Sequence, residues 1–179
     1  MRLILTLLFS LFALPALAND WDALREPGAV AIMRHALAPG TGDPAGFDVT
    51  DCATQRNLDA RGRAQARRIG AMMKDRGITF DTVYTSQWCR CAETARLMDV
   101  GPVQEAPALN SFFQNRDTRD SQTEAARQLL TAVQGPVLLV THQVNISALT
   151  GQFTSSGQIL VIRAAGDRID VLGSIQIDP

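Results

Sequence analysis

The run Gly28-Ala-Val-Ala-Ile-Met-Arg-His35 decides how this chain folds. From Gly28 to Met33 it is small or apolar and reads as a strand, and it ends on an arginine followed by a histidine. A hydrophobic strand that closes on a titratable residue is how an open α/β sheet places side chains in the crevice at its carboxyl edge. The pattern returns in Val137-Leu-Leu-Val-Thr-His142. The chain has 2 histidines, and each closes one of these runs. Two imidazoles are therefore expected to face one site.

Outward from these runs the sequence alternates between two periods. Strands are expected at Ala29–Met33, Asp81–Thr85, Val137–Thr141, Ile159–Arg163 and Ile169–Leu172. Between them, Asp59 to Asp75 carries Ala64, Ile69, Ala71 and Met72 at helical spacing, and Gly77 is placed to cap its end. Ser121 is placed as the N-cap of a helix through Val133, with Glu124 completing a capping box and Gly135-Pro136 stopping the helix. Such alternation predicts a three-layer α/β sandwich with a mostly parallel central sheet. Only Ala164 to Arg168 separates the last two runs, so they are expected to form an antiparallel edge hairpin. No repeat, low-complexity segment or linker divides the chain. The irregular stretch from Ala36 to Asn57 follows the first histidine and contains Pro39-Gly40, Gly42, Pro44 and Gly46. Loops this long inside a compact domain are usually functional, and this one is expected to wall the pocket.

The first residues read differently. Arg2 gives a positive start, Leu3 to Leu14 is apolar, and Ala16-Leu-Ala18 is a small-x-small cleavage pattern. Residues 1–18 are expected to be a secretory signal peptide, leaving residues 19–179 as one domain with no stable membrane insertion after cleavage. The net charge of −1 is not that of a nucleic-acid binder. The one dense basic cluster, Arg61, Arg63, Arg67 and Arg68, spreads over the solvated face of a helix. With 3 cysteines in an exported chain, one disulfide and one leftover thiol are expected. Cys89 and Cys91 point to different sides of a helix, so only one of them is placed to meet Cys52. No metal-ligand spacing is present, and no cofactor is implied.

Arg34-His35, Arg90 in Thr85-Ser-Gln-Trp-Cys-Arg90, and Thr141-His142 suit one kind of chemistry. A phosphoryl group in transfer spreads negative charge over its equatorial oxygens and needs fixed positive donors around them. Arg34 and Arg90 supply planar guanidinium forks. A neutral imidazole can attack phosphorus and divide the reaction into two easier steps. A second imidazole, donating a hydrogen bond, would stabilise the transition state without a metal.

In these residues the chain resembles the histidine phosphatase superfamily, the phosphoglycerate-mutase-like fold. Met33-Arg-His-Ala36 is similar to its Arg-His-Gly motif, and Ser86-Gln-Trp-Cys-Arg-Cys-Ala-Glu-Thr-Ala95 to its Ser-Pro-x-x-Arg-Ala-x-x-Thr-Ala. Asn57-Leu-Asp-Ala-Arg-Gly-Arg-Ala-Gln-Ala66 is similar to a Leu-Thr-x-x-Gly-x-x-Gln-Ala helix opening, and Val140-Thr-His142 to the third catalytic element. The resemblance covers nearly all of residues 19–179, in order. It implies that His35 is the nucleophile, that Arg34, Arg90 and His142 bind the phosphate, and that Arg56 is an extra phosphate contact or a loop-bracing arginine. It also implies that Cys91, at a small core-facing position of the motif, is a buried free thiol, and hence that Cys52 pairs with Cys89.

Three positions depart from the family pattern. Ala36 replaces a glycine beside the nucleophile, and Gln87 replaces a proline. Leu109-Asn-Ser-Phe-Phe113 has no carboxylate where many members carry a glutamate acid, so Asp48, Glu105, Asp117 and Asp120 remain as candidate proton donors. A substrate with a good leaving group would not need a strong acid. The expectation is a periplasmic or secreted metal-independent phosphatase acting on a small phosphorylated substrate, with phosphorylated envelope sugars one candidate. The alternatives are a catalytically weakened phosphate-binding or interaction module and, less favoured, a phosphomutase. The oligomeric state is not legible in the sequence.

Overall fold

The computed structural model describes residues 20–166 and 168–179. The expected signal peptide therefore lies outside the described residues. A six-stranded sheet runs in the order β3-β2-β4-β1-β5-β6. Its strands are β1 (Val30–Arg34), β2 (Thr82–Thr85), β3 (Val103–Glu105), β4 (Val137–Thr141), β5 (Ile159–Ala165) and β6 (Arg168–Ile175). The first four are parallel, while β5 and β6 form an antiparallel edge hairpin that joins through β5 to β1. Fold class and sheet type agree with the sequence reading.

Helices α1 (Ala60–Lys74) and α2 (Cys89–Met98) cover one face, and α3 (Arg119–Ala132) and α4 (Gln143–Thr150) the other. Strand side chains alternate between the two cores: Ala31, Met33, Leu138 and Val140 into one, Ile32 and Leu139 into the other. Burial on both faces is why β1 and β4 read as unbroken apolar runs. No helix among the described residues is long and apolar enough to cross a membrane.

Several elements differ from expectation. The edge strand β3 was not foreseen, because three residues carry no period. The C-terminal hairpin is longer than its two sequence runs: the added Ala164, Ala165 and Arg168 at its turn are exposed, and buried Gly173 and Ile175 at its other end form too short a pattern to read as strand. Helix α3 starts at Arg119, not after Ser121. The 3-10 turn Arg116–Thr118 runs straight into it, and the Ser121 hydroxyl donates back to the Thr118 carbonyl at 3.1 Å instead of capping. In α1 the buried stripe is Gly62, Gln65, Ala66, Ile69, Gly70 and Met73, so Ala64 and Ala71 are on the exposed side. Two glycines let this helix sit close. A Cβ on Gly62 would lie 1.9 Å from the Leu37 carbonyl oxygen, and one on Gly70 2.0 Å from that of Met98. Asp59 caps α1 by accepting from the Gly62 N–H at 2.7 Å, and Gly77, at φ 66°, ends it as expected.

Candidate active site

Strands β1 and β4 are parallel neighbours, so the residues that follow them emerge side by side at the carboxyl edge. The His35 N–H donates to the Thr141 carbonyl at 3.0 Å, extending the ladder, and the rings of His35 and His142 lie 5.5 Å apart at 69°. Helix α2 starts at the same edge after β2 and brings in Arg90. His35, Arg90 and His142 are all nearly buried. They line a cavity of about 270 Å³ with Arg34, Arg56 and the Gly40–Asp43 part of the long loop. The structure thus brings all five candidate residues together and makes the loop one wall.

Hydrogen bonds fix the state of each imidazole. The Ala36 carbonyl lies 2.7 Å from His35 Nδ1 and can only accept, so Nδ1 carries the proton. The lone pair is then on Nε2, which receives the Arg90 Nε–H at 3.2 Å. His142 has the other tautomer. Its Nδ1 lies 3.4 Å from Arg90 Nη2, a donor, so its N–H is on Nε2, 2.9 Å from Ser86 Oγ. Ser86 passes the chain on to Asn110 Oδ1 at 3.2 Å. In this state His142 supports Arg90 and turns its own N–H away toward Ser86. Burial, then the charge of Arg90, holds both imidazoles well below the ordinary histidine range, so both are neutral.

Arg34 is half-buried. Its Nη1 donates to the Thr154 carbonyl at 2.9 Å, but its buried Nε–H has no partner among the described residues. A buried guanidinium N–H without an acceptor, inside a pocket, suits an incoming oxyanion. Arg56 donates Nε to the Gly42 carbonyl at 2.7 Å and Nη1 to that of Ala38. It braces the loop and also lines the pocket. Burial, then repulsion from Arg90, lowers its pKa to about 10.

Sequence reasoning missed Asp43. Its carboxylate makes a buried ion pair with Arg90, with Oδ1 2.7 Å from Nη1 and Oδ2 3.2 Å from Nη2. The Arg56 backbone N–H reaches Oδ1 at 3.1 Å, and the Trp88 indole N–H reaches Oδ2 at 3.0 Å. A carboxylate offers about four acceptor positions, and all are filled. Burial pushes the Asp43 carboxyl up, but the bonds and charge of Arg90, with the other two donors, outweigh it and hold the pKa below the usual value. Asp43 therefore grips the outer fork of Arg90 and leaves the edge formed by Nε and Nη2 facing the histidines. Three guanidinium groups against one carboxylate leave two positive charges in the pocket, matching a phosphoryl dianion.

The departures from the family motifs also find physical reasons. The Ala36 methyl packs in the core and does not line the pocket. The Gln87 N–H, which a proline lacks, donates to Asn110 Oδ1 at 2.9 Å, and Asn110 Nδ2 returns a bond to Gln87 Oε1 at 2.9 Å. The segment that could have carried an acid is instead held by an amide pair. None of Asp48, Glu105, Asp117 and Asp120 lines the pocket, and all four are exposed. The thiols are disposed as the resemblance implied: Cys52 pairs with Cys89, and Cys91 is buried, with burial raising its pKa to about 12.

The sequence model of the histidine phosphatase superfamily (branch 1) matches residues 30–116. No curated protein matches the chain. Among solved structures, SixA of Agrobacterium tumefaciens, a candidate phosphohistidine phosphatase, superposes with a TM-score of 0.59 at 20% identity, over 85% of this chain and 99% of that one. A phosphoglycerate mutase of Thermus thermophilus gives 0.59 at 19% identity, over 84% and 99%. The protein histidine phosphatase SixA complexed with tungstate gives 0.57 at 15% identity, over 83% and 96%. At these identities the likeness is one of fold.

Proposed function

We propose that this chain, whose residues 30–116 match the sequence model of the histidine phosphatase superfamily, is a member of that family and an exported, metal-independent phosphatase that hydrolyses phosphomonoesters through a phosphohistidine. The observation that carries this reading is the state of His35. Its ring is neutral, its proton is fixed on Nδ1, and its Nε2 lone pair faces the pocket beside Arg90. That nitrogen is freed to attack phosphorus when a phosphoryl oxygen takes over the Arg90 Nε–H that it now accepts. Arg34 offers its unpaired Nε–H, Arg90 the Nε–H that it now gives to His35, and His142 completes the cradle by holding Arg90 through Nη2. Arg56 is a further contact for the phosphoryl oxygens as well as a loop brace. That the same fold holds tungstate, an oxyanion, in a neighbour supports the reading. The Cys52–Cys89 disulfide favours an oxidising compartment, the periplasm or the exterior. Phosphorylated envelope sugars and scavenged phosphomonoesters are the substrate classes within reach there.

The test is turnover of p-nitrophenyl phosphate by residues 19–179, with rapid quenching into base. A base-stable phosphoryl adduct on His35, no turnover by His35→Ala, and full activity after EDTA treatment are expected. EDTA inactivation reversed by zinc or magnesium would make it a metallophosphatase. Phosphate binding with no adduct would leave a binding module, and an adduct discharged only to a second alcohol would make it a mutase.

A further inference from the structure

Among the described residues, the pocket that holds the two histidines contains no group free to protonate a leaving oxygen. Asp43 is its one carboxylate, and its acceptor positions are filled by Arg90, the Arg56 backbone and Trp88. The one N–H of His142 is committed to Ser86, and burial beside Arg90 disfavours a second proton. What remains are guanidinium groups, the hydroxyls of Thr41 and Ser111, and the Gln143 amide, none of which is a useful acid at neutral pH. The bond from phosphorus to the leaving oxygen must then break onto an oxygen that is stable as an anion. Phenolic hydroxyls ionise near pH 10. Alkyl alcohols, like water, do so only near pH 16.

The mouth of this pocket carries a second signal. Phe153, at 73% exposure, and Phe113, at 39%, are the exposed large apolar side chains among the described residues, and both line this cavity. They come from different loops. Phe153 precedes Thr154, whose carbonyl holds Arg34, and the Phe113 ring has the Arg116 guanidinium 5.2 Å from its centre. Half-buried Val144 also lines the cavity. Aromatic faces left in water beside a catalytic cleft are suited to a planar ring on the bound ligand. Acyl phosphates and anhydrides could also leave without an acid, but a simple acyl phosphate presents no ring to these faces, and a nucleoside anhydride carries its ring a whole sugar and phosphate away from the transferred group.

We infer that the natural substrate is an aryl phosphate monoester, whose ring packs against Phe113 and Phe153 while its phosphoryl group sits between His35 and the arginines. This rests on the phosphatase reading above and narrows its substrate to the scavenged phosphomonoesters, setting phosphorylated sugars aside. His35 Nε2 forms a bond to phosphorus as the bond to the aryl oxygen breaks. The electron pair leaves on the phenolate, which takes its proton from water. A water molecule then attacks phosphorus, the N–P pair returns to His35, and inorganic phosphate departs with the water's oxygen.

Kinetics with substituted phenyl phosphates, glycerol 3-phosphate, a hexose 6-phosphate and acetyl phosphate test the inference. kcat/KM should fall steeply as the pKa of the leaving phenol rises, and the two alkyl phosphates should react at least about a hundredfold more slowly than phenyl phosphate. Phe153→Ala and Phe113→Ala should each raise KM for aryl phosphates about threefold to tenfold, the range of one aromatic contact. The same variants should leave KM for acetyl phosphate unchanged. Phe153 is exposed, so its variant should keep the wild-type melting temperature. Equal turnover of the hexose phosphate, or parallel KM changes for aryl and acetyl phosphates, would overturn the aryl assignment while the His35 adduct still formed. No adduct with any substrate would overturn the phosphatase reading as well.

Discussion

Asp43 places a negative charge inside a pocket proposed to hold a phosphoryl dianion, and its donors explain why. It aligns a cation and neither gives nor takes a proton. Asp43→Asn should lower kcat about tenfold or more, less than the hundredfold or greater loss typical when a charge-stabilising donor is itself deleted. It should also cost about 3 kcal/mol of stability, because a buried Arg90 loses its counter-charge. The dependence of rate on leaving-group pKa should not change. A loss confined to poor leaving groups would instead make Asp43 the acid, so the check is a rate series on the variant. The sequence made His35 and His142 legible because each ends an apolar run. Asp43 was hidden because Gly42-Asp43-Pro44 reads as a turn. Its partners stand 13 residues away at the Arg56 N–H and 47 away at Arg90, distances that no local pattern spans.

The loop after β1 and the start of α2 act as one unit. The Cys52–Cys89 bond places a cross-link beside Arg90, and Gln55 Oε1 accepts from the Cys89 N–H at 3.0 Å. From the other side, Gln65 of α1 accepts from the Leu37 N–H at 2.9 Å and donates to Ser156 at 2.8 Å and Ile177 at 2.7 Å. The Gly and Gln of the α1 motif thus gain physical meaning: one permits close approach, the other ties the loops around the pocket. Paired Cys52→Ser and Cys89→Ser substitutions should cost roughly 3–4 kcal/mol for a cross-link spanning 37 residues, and should weaken kcat/KM by loosening the wall that carries Asp43. Thermal melts and kinetics check both. An unchanged melting temperature would mean that the polar ties alone hold the loop. Helix α3 was less legible than α1, because a 3-10 turn continuous with its first turn removes the need for the cap that Ser121 offered.

At the scale of the whole molecule, the buried imidazoles set how stability depends on pH. Both pKa values are lowered in the folded state. Above about pH 6.5 neither state binds a proton there, and the histidines add no pH dependence. Below it the unfolded chain takes up two protons that the folded chain refuses. Stability should then fall by up to about 1.4 kcal/mol per pH unit for each histidine until the folded pKa values are reached. Urea melts between pH 7.5 and 5 check this, and a flat profile would show that the rings accept protons without unfolding. Added phosphate should shift the midpoint upward by binding only the folded form. The pairing of β1 with β4 has a further consequence, in time. It joins Ala31 to Leu138 across three helices and two strands of intervening chain. Contacts so distant in sequence form late, because the entropy of closing the chain is lost before the contacts compensate for it. His35 and His142 meet only when that register closes. A polypeptide threaded unfolded through a membrane would carry both histidines past the phosphoesters of the cytoplasm as chemically inert beads on a string, and would become reactive only at its destination.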